Sequence, residues 1–285
     1  MFEGFTLDFI DVGPGKLRVR HGGSGPPVLL LHGHPRTHMT WGQVADMLAP
    51  KFTVVCPDLR GFGKSFLPED ADGHLNSSKR AKANDCVALM QNLGHERFSV
   101  VGHDRGSYVA FRLGVDHPNV VENVVVIDGV PIIEHLERTD WRFARDWYHW
   151  FFFAQAEKPE RAINADPLAW YDKLSPSLMG EEAYRDVVAA VSDPRVVHGM
   201  IEDYRAGLSV DRRDEMETLA SGQKITCPLL CLWSTKDDLI ETVGDPLKIW
   251  RRWATKVQGF GIDSGHHVAE ENPRDLAAAI SAFLS

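Results

Sequence analysis

The sequence lacks any uncharged apolar run that approaches the ~20 residues needed for a membrane helix. Its first residues, MFEGFTLDFIDVG, carry acidic side chains where a secretory signal peptide needs a basic segment followed by an apolar one. We therefore expect a protein that neither spans a membrane nor is secreted, and that works in the cytoplasm.

Positive charge is also scarce. The chain has 31 Lys and Arg against 40 Asp and Glu, for a formal net charge of −9. This sign disfavours nucleic acid and anionic membrane surfaces as partners. A small anionic substrate would meet the same repulsion, so its binding site must supply local positive charge.

Cysteines are few, and their spacing predicts no disulfide. Cys56 and Cys86 lie far apart in sequence. Cys227 and Cys231 share one strand-like run, which places them roughly 13 Å apart at ~3.3 Å per residue, too far for a disulfide bond. No metal-ligand spacing surrounds them, so we expect reduced core thiols in a reducing compartment.

Strand and helix patterns alternate in the first half of the chain, which is typical of βαβ units. The strands are continuously apolar, so both faces of a mostly parallel sheet should be covered by helices, and the expected class is α/β. We predict strands at 16–23, 26–33, 51–59, 97–103, 121–128, 227–234 and 257–262, and helices at 37–48, 79–93, 107–115, near 250 and at 273–284.

The segment from 132 to 219 shows helical stretches and no strand pattern. Strand patterning resumes at the apolar run CPLLCLWS, after this segment ends. We therefore interpret residues 1–131 and 220–285 as a sheet-containing core and residues 132–219 as an inserted helical cap.

The segment Gly102-His103-Asp104-Arg105-Gly106 directly follows an apolar strand and directly precedes a helix. This is the setting of a nucleophile elbow, in which a strained residue between small neighbours presents its side chain at the end of a sheet. A helix-capping aspartate would look similar, so the motif needs support from elsewhere in the chain.

Two further segments supply that support. His34 follows the strand VLLLHG, where an elbow enzyme draws one oxyanion-hole N–H, and Ser264-Gly265-His266 follows the last strand, where it places its histidine. His267 is adjacent, but the residue directly after the glycine fits the pattern better. The acid that orients this histidine could be Asp128 or Asp237, and spacing leaves both open.

An aspartate nucleophile limits the reaction. Attack on an ester would give a strained mixed anhydride, whereas attack on a saturated carbon gives an alkyl ester that a histidine-activated water can hydrolyse. The sequence therefore indicates an alkyl halide or an epoxide as substrate, and neither reaction requires a metal or an organic cofactor.

Over nearly its full length the chain resembles the fluoroacetate (haloacetate) dehalogenases of the α/β-hydrolase superfamily. The segments that carry the resemblance are HGHPRTHMTW, DLRGFGKS, GHDRGSYVAFRLGVDHP, VIDGVPI, YHWFFFAQ, EDYRAG and SGHHVAEENP. The elbow HDRG and the two later segments YHWFFFAQ and EDYRAG are the most specific.

The resemblance implies a role for each site residue. Asp104 would displace halide from the α-carbon of a small haloacid, Asp128 rather than Asp237 would be the triad acid, and His266 would activate water. Arg105 would bind the substrate carboxylate and donate its N–H to the oxyanion hole. The remaining implied residues hold the halide: His149, Trp150 and Tyr204.

One position departs from the family pattern. The helix after the elbow should carry a second arginine three residues beyond the first, and here that residue is Tyr108. Residues three apart share a helix face, so Tyr108 could still reach the same substrate carboxylate, but without a charge.

Two other functions compete with the dehalogenase. An epoxide hydrolase would use the same triad with two cap tyrosines, of which Tyr204 is one and Tyr148 or Tyr108 would be the second, while Arg105 argues against it. A non-catalytic small-ligand receptor is the other. The sequence is also compatible with a homodimer, the commonest soluble oligomer.

Overall fold

The computed structural model describes residues 1–285, the whole chain. Eight strands form one sheet in the order β1-β2-β4-β3-β5-β6-β7-β8. The strands are β1 Thr6–Asp11, β2 Lys16–Gly23, β3 Pro27–Leu31, β4 Thr53–Pro57, β5 Phe98–His103, β6 Val121–Ile127, β7 Ile225–Ser234 and β8 Ala254–Ile262.

Strand β2 runs antiparallel to both β1 and β4, and every other neighbouring pair is parallel. The predicted α/β class with a mostly parallel sheet is therefore confirmed. All six residues of β5 are buried, as expected for a central strand covered on both faces.

Sixteen α-helices accompany the sheet. They are α1 Gly42–Leu48, α2 Lys79–Asn92, α3 Arg105–Asp116, α4 Ile132–Glu137, α5 Trp141–Asp146, α6 His149–Phe153, α7 Lys158–Ala165, α8 Pro167–Trp170, α9 Pro176–Met179, α10 Glu181–Val191, α11 Pro194–Ala206, α12 Arg212–Ser221, α13 Leu239–Val243, α14 Pro246–Trp253, α15 Val268–Glu271 and α16 Pro273–Leu284. Short 3₁₀ segments occupy His38–Trp41 and Asp72–Ser77, and a π-helical turn spans Gly207–Asp211.

The elements differ from the sequence prediction mainly at their ends. The helix expected over 37–48 is divided, with a 3₁₀ turn at His38–Trp41 before α1. The edge strand β1 was not predicted, because its burial pattern is exposed almost throughout and leaves little apolar signal. Helix α3 begins at Arg105, directly after Asp104.

Only helices and turns lie between β6 and β7, from α4 to α12. They run from Ile132 to Ser221, two residues beyond the segment 132–219 predicted as the cap, and we call them the cap. No helix anywhere in the structure combines the length and apolar character needed to cross a membrane.

The parallel strands place their carboxyl ends at one edge of the sheet. Asp104 follows β5, Asp128 follows β6, Asp237 lies three residues after β7 and His266 four residues after β8. Loops at this edge of an open α/β sheet are where such folds bind their ligands, so the candidate catalytic residues converge there although they are far apart in sequence.

Candidate active site

Asp104 is held at a tight strand-to-helix turn. It lies between β5 and α3 with φ 50° and ψ −119°, a conformation that is costly for a residue other than glycine. A Cβ atom on Gly102 would collide with the backbone of Gly106, and one on Gly106 would collide with the Leu31 carbonyl oxygen. The two glycines therefore allow β5, α3 and β3 to approach closely enough to form the elbow.

The two carboxylate oxygens of Asp104 have different surroundings. Oδ1 accepts a hydrogen bond of 2.7 Å from the backbone N–H of His34. Oδ2 lies 3.8 Å from Nε2 of His266. Burial by itself would raise the pKa of Asp104, but the neighbouring His266 holds it well below its usual range. The carboxylate is therefore ionised, with Oδ1 fixed by a hydrogen bond and Oδ2 without one.

The histidine of the site is His266, and its Nδ1 donates a 2.8 Å hydrogen bond to Oδ2 of Asp237. The ring of His267 lies beside that of His266, at 5.2 Å between centroids. The pKa of His266 is raised well above its usual value because the neighbouring carboxylates of Asp104 and Asp237 outweigh the effect of burial.

Asp128 does not make the contact that we had assigned to it. Its Oδ2 is 4.0 Å from Nδ1 of His266, and its carboxylate accepts hydrogen bonds from the backbone N–H of Ser234, at 2.7 Å, and from the Ser234 hydroxyl. Ser234, the last residue of β7, thus occupies both oxygens of Asp128. The preference for Asp128 over Asp237 is not reproduced by the geometry, and this is a correction to the sequence analysis.

The two acids also differ electrostatically. Burial raises the pKa of Asp128 to about 6. Burial of Asp237 acts in the same direction, but the hydrogen bond with His266 brings its pKa below the usual value. Asp237 is therefore the acid that is fully ionised at neutral pH and in direct contact with the imidazole.

His103 holds the loop that carries His266 in place. Its Nε2 donates to the backbone carbonyl of His266 at 2.7 Å, and burial lowers the pKa of His103 to about 3, so the ring is neutral. This role of His103 was not predicted from the sequence, although His103 is part of the elbow motif. Donor atoms of His103, Asp128 and His266 lie within 4.8 Å of one another, but each residue is already engaged in the contacts described above.

The guanidinium of Arg105 is buried and paired with an acid that the sequence analysis overlooked. Its Nε donates to Oδ2 of Asp203 at 2.5 Å and its Nη2 to the Asp203 carbonyl at 2.8 Å. Asp203 also contacts Nζ of Lys82 at 2.6 Å and Nζ of Lys79 at 2.9 Å. The only sequence signal was its place beside Tyr204 in the segment EDYR.

This buried group of charges retains an excess of one positive charge. Three cations, Lys79, Lys82 and Arg105, face two anions, Asp203 and Asp211, and all five side chains are about 1% exposed. The site therefore supplies the local positive charge that an anionic substrate would need in a protein with a net charge of −9.

Four of the predicted ligand-binding residues form one aromatic cluster above Asp104. The ring of Tyr204 lies 5.2 Å from His34, 5.6 Å from His149 and 6.3 Å from Trp150. Burial lowers the pKa of His149 to about 4 and raises that of Tyr204 well above its usual value. Both side chains are therefore neutral hydrogen-bond donors at physiological pH.

The ring of Tyr108 also lies beside the Arg105 guanidinium. Its ring is 5.1 Å from the Arg105 guanidinium carbon and 6.2 Å from the ring of Trp150. It also lies 6.4 Å from the ring of His135, which is fully buried and has no hydrogen-bond partner at either nitrogen. Tyr108 therefore lies in one group of side chains with Arg105, Trp150 and His135, which we call the enclosure.

A second cap tyrosine, Tyr171, reaches His34. Its hydroxyl lies 3.1 Å from Nε2 of His34. Tyr148, which we had considered for this position, is 51% exposed and does not belong to the enclosure. Tyr171 carries no motif in the sequence and is brought here only by the folding of the cap.

Comparison with known proteins agrees with this architecture. Residues 26–273 match the model of the alpha/beta hydrolase fold family. The chain is 37% identical to a fluoroacetate dehalogenase from Burkholderia sp, over all of this chain and 95% of that protein. It is 31% identical to a soluble epoxide hydrolase from Corynebacterium sp., over all of this chain and 96% of that protein.

A solved structure of an alpha/beta hydrolase from Nostoc sp PCC 7120 superposes with a TM-score of 0.96 at 39% identity, covering 100% of this chain and 99% of the other. With the family model spanning most of the chain and a full-length dehalogenase relative, the chain belongs to the α/β-hydrolase family and is dehalogenase-like.

Proposed function

We propose that this hydrolase is a dehalogenase of small 2-haloacids, of the haloacetate type, that works through an ester on Asp104. The observation that carries the proposal is the state of Asp104: an ionised carboxylate at the elbow, with Oδ1 bound by the His34 N–H and Oδ2 free. A carboxylate in this position is suited to attack saturated carbon rather than an acyl group.

In the first step, Oδ2 of Asp104 attacks the α-carbon from the side opposite the halogen. A carbon–oxygen bond forms, the carbon–halogen bond breaks, and the halide leaves with the bonding electrons. Trp150, His149 and Tyr204 line the cap side of the cluster and offer neutral donors. Hydrogen bonds to a halide strengthen as its charge develops, so these donors would stabilise the transition state more than the substrate.

In the second step, formation of the ester allows His266 to change its protonation state. Esterification neutralises Asp104, whose charge helps to raise the pKa of His266, so His266 can release its proton and act as a general base. It removes a proton from water, and the resulting hydroxide adds to the carboxyl carbon of Asp104. The oxygen held by the His34 N–H receives the negative charge. The alkoxide then leaves, takes the proton from His266, and departs as the hydroxy acid. The Asp104 carboxyl that remains gives its proton to the neutral His266, which restores the starting state.

The substrate carboxylate would bind beside Arg105 and Tyr108. Asp203 already uses Nε and Nη2 of Arg105, which leaves Nη1 for the substrate. A phenol hydroxyl can donate one hydrogen bond to the carboxylate but brings no positive charge, whereas a second arginine would add a charge and a two-point hydrogen bond. We therefore propose either loose binding of haloacetate or a preference for a bulkier or less anionic 2-haloacid derivative that packs against Tyr108.

An epoxide hydrolase is the second candidate, and one observation favours it. Tyr171 and Tyr204 both flank His34, at 5.5 and 5.2 Å between ring centroids, so two cap tyrosines approach the oxyanion side as ring-opening acids would. Against it, the Tyr171 hydroxyl is engaged by His34, and Arg105 places a cation where an epoxide offers no anion. A receptor without activity would bind a small ligand but leave every substrate unchanged.

The test is to trap the ester. His266→Gln should still displace halide once, because the first step needs no base, and should then accumulate a covalent adduct on Asp104. After mixing with chloroacetate, we expect one chloride per active site and a matching mass increase on the peptide that contains Asp104. His267→Gln is the matched control and should turn over without an adduct.

The class of substrate is identified by measuring halide release and diol formation from a panel of haloacids, haloamides and styrene oxide. Halide release with no diol supports the dehalogenase, whereas diol formation without halide release would establish the epoxide hydrolase. An unmodified Asp104 in folded His266→Gln, exposed to a substrate that the wild type converts, would contradict the covalent mechanism.

A further inference from the structure

We propose that Asp70, His74, His198 and Glu202 form a binding site for a divalent transition-metal ion of the zinc class, at the junction of the cap and the core. The site lies outside the catalytic cluster. Two of its residues come from the cap helix α11, and two come from the core segment at the start of the 3₁₀ turn Asp72–Ser77.

Three of the four side chains already converge, and His74 contacts the group through Glu202. His198 and Glu202 are one helical turn apart on α11, so their side chains share a face. His74 Nδ1 lies 2.7 Å from Oε2 of Glu202, and His198 Nε2 lies 2.9 Å from Oδ1 of Asp70. Donor atoms of Asp70, His198 and Glu202 all lie within 4.8 Å of one another. Tetrahedral zinc has bonds of ~2.0 to 2.2 Å to such ligands, so modest side-chain shifts would close the set around an ion.

Negative charge is in excess at the junction. Three carboxylates, Asp70, Glu160 and Glu202, surround the imidazoles, and Arg205 pairs with Glu160 at 2.7 Å and with Glu202 at 2.9 Å. With neutral imidazoles, two negative charges remain uncompensated.

The types of ligand atom at this site favour particular metal ions. Two imidazole nitrogens and two carboxylate oxygens suit zinc and its neighbours among the transition metals, whereas magnesium and calcium prefer oxygen alone. A cavity of about 620 Å³, lined by His74, Glu160, His198 and Arg205 among others, opens beside the donors. It gives an ion and its exchanging waters a route to the site.

An ion here would join two parts of the protein that bear on the catalytic centre. Helix α11 also carries Asp203 and Tyr204 immediately after Glu202, so metal binding would fix that helix against the core segment before α2. The role would be structural, and the reaction proposed above would not pass through the ion.

The experiment uses the full chain, freed of metal with a chelator and titrated with Zn²⁺ and with Co²⁺. We expect one saturable site per chain, a rise in melting temperature with added metal, and the absorption of tetrahedral Co²⁺. Replacing one imidazole, as His198→Gln, should weaken the affinity by at least ~10-fold, since even the loss of a residue that only supports a ligand costs ~10- to 100-fold. His95→Gln, a part-buried histidine elsewhere, is the matched control and should bind as the wild type does.

A second variant keeps the test decisive if His198→Gln is unstable. The Asp70 side chain is 69% exposed, so Asp70→Asn should fold normally and still lose affinity. Equal affinities in the wild type and in Asp70→Asn, or wild-type binding only at millimolar metal, would overturn the proposal. Loss of haloacid turnover on metal addition, unchanged by His198→Gln, would assign the metal to the catalytic histidines and would overturn it as well.

Discussion

Replacing Asp237 by Asn should slow turnover more than replacing Asp128 by Asn. In the structure, His266 Nδ1 lies 2.8 Å from Asp237 and 4.0 Å from Asp128. At an effective dielectric constant of about 20, a unit charge stabilises an imidazolium by about 6 kcal/mol at the first distance and about 4 kcal/mol at the second. The difference of about 2 kcal/mol corresponds to roughly a 30-fold difference in rate.

Two further properties of the site affect this value. The His266 side chain is 27% exposed, and solvent screening reduces both attractions. Of the two acids, only Asp237 makes a hydrogen bond to His266. This bond adds to the stabilisation of the imidazolium by Asp237, because a bond to a charged group contributes about 1.5 to 3 kcal/mol. Asp128 can compensate in part when Asp237 is lost, so the double variant should lose more activity than either single variant.

The assay separates the two chemical steps. Because the triad acid acts through His266, both single variants should release a first halide per active site at a rate close to that of the wild type. The difference should appear in ester hydrolysis, measured as the decay of the covalent adduct on Asp104 after substrate is removed. If folded Asp128→Asn hydrolyses the ester more slowly than Asp237→Asn, Asp128 is the working acid and the reasoning from distances is refuted.

Three other changes test the enclosure around Arg105. Trp150→Phe should reduce fluoride release more than bromide release, since one donor aimed at developing charge contributes ~2.7 to 4 kcal/mol; equal losses for the two halides would assign Trp150 to packing. Tyr108→Arg should lower KM for haloacetate and widen its advantage over haloacetamide, with Tyr108→Phe as control; an unchanged preference in the folded variant would show that residue 108 does not touch the substrate carboxylate. His135→Phe should raise the free energy of unfolding in urea by about 1 to 3 kcal/mol, because both buried ring nitrogens lack partners; a less stable variant would mean that these nitrogens are satisfied in solution.

The fold and the candidate nucleophile were accessible from local sequence signals. Continuous apolar strands between helical patterns predict a covered parallel sheet, and the paired glycines around Asp104 predict a strained elbow, because both depend on residues that are neighbours in the chain. The same holds for His34 and His266, which directly follow strands. Exposed β1 escaped prediction because it lacks the apolar pattern that such signals require.

The partners of these residues depended on tertiary structure. Asp237 rather than Asp128 reaches His266 because Ser234 already occupies both oxygens of Asp128, a competition between two strand ends. Asp203 neutralises much of Arg105, and Tyr171 reaches His34, because the cap folds over the core. The sequence by itself determined which chemical groups the site has. Only the tertiary structure decided which of them touch, since hydrogen bonds and ion pairs between distant segments depend on distances of a few ångströms that no local pattern records.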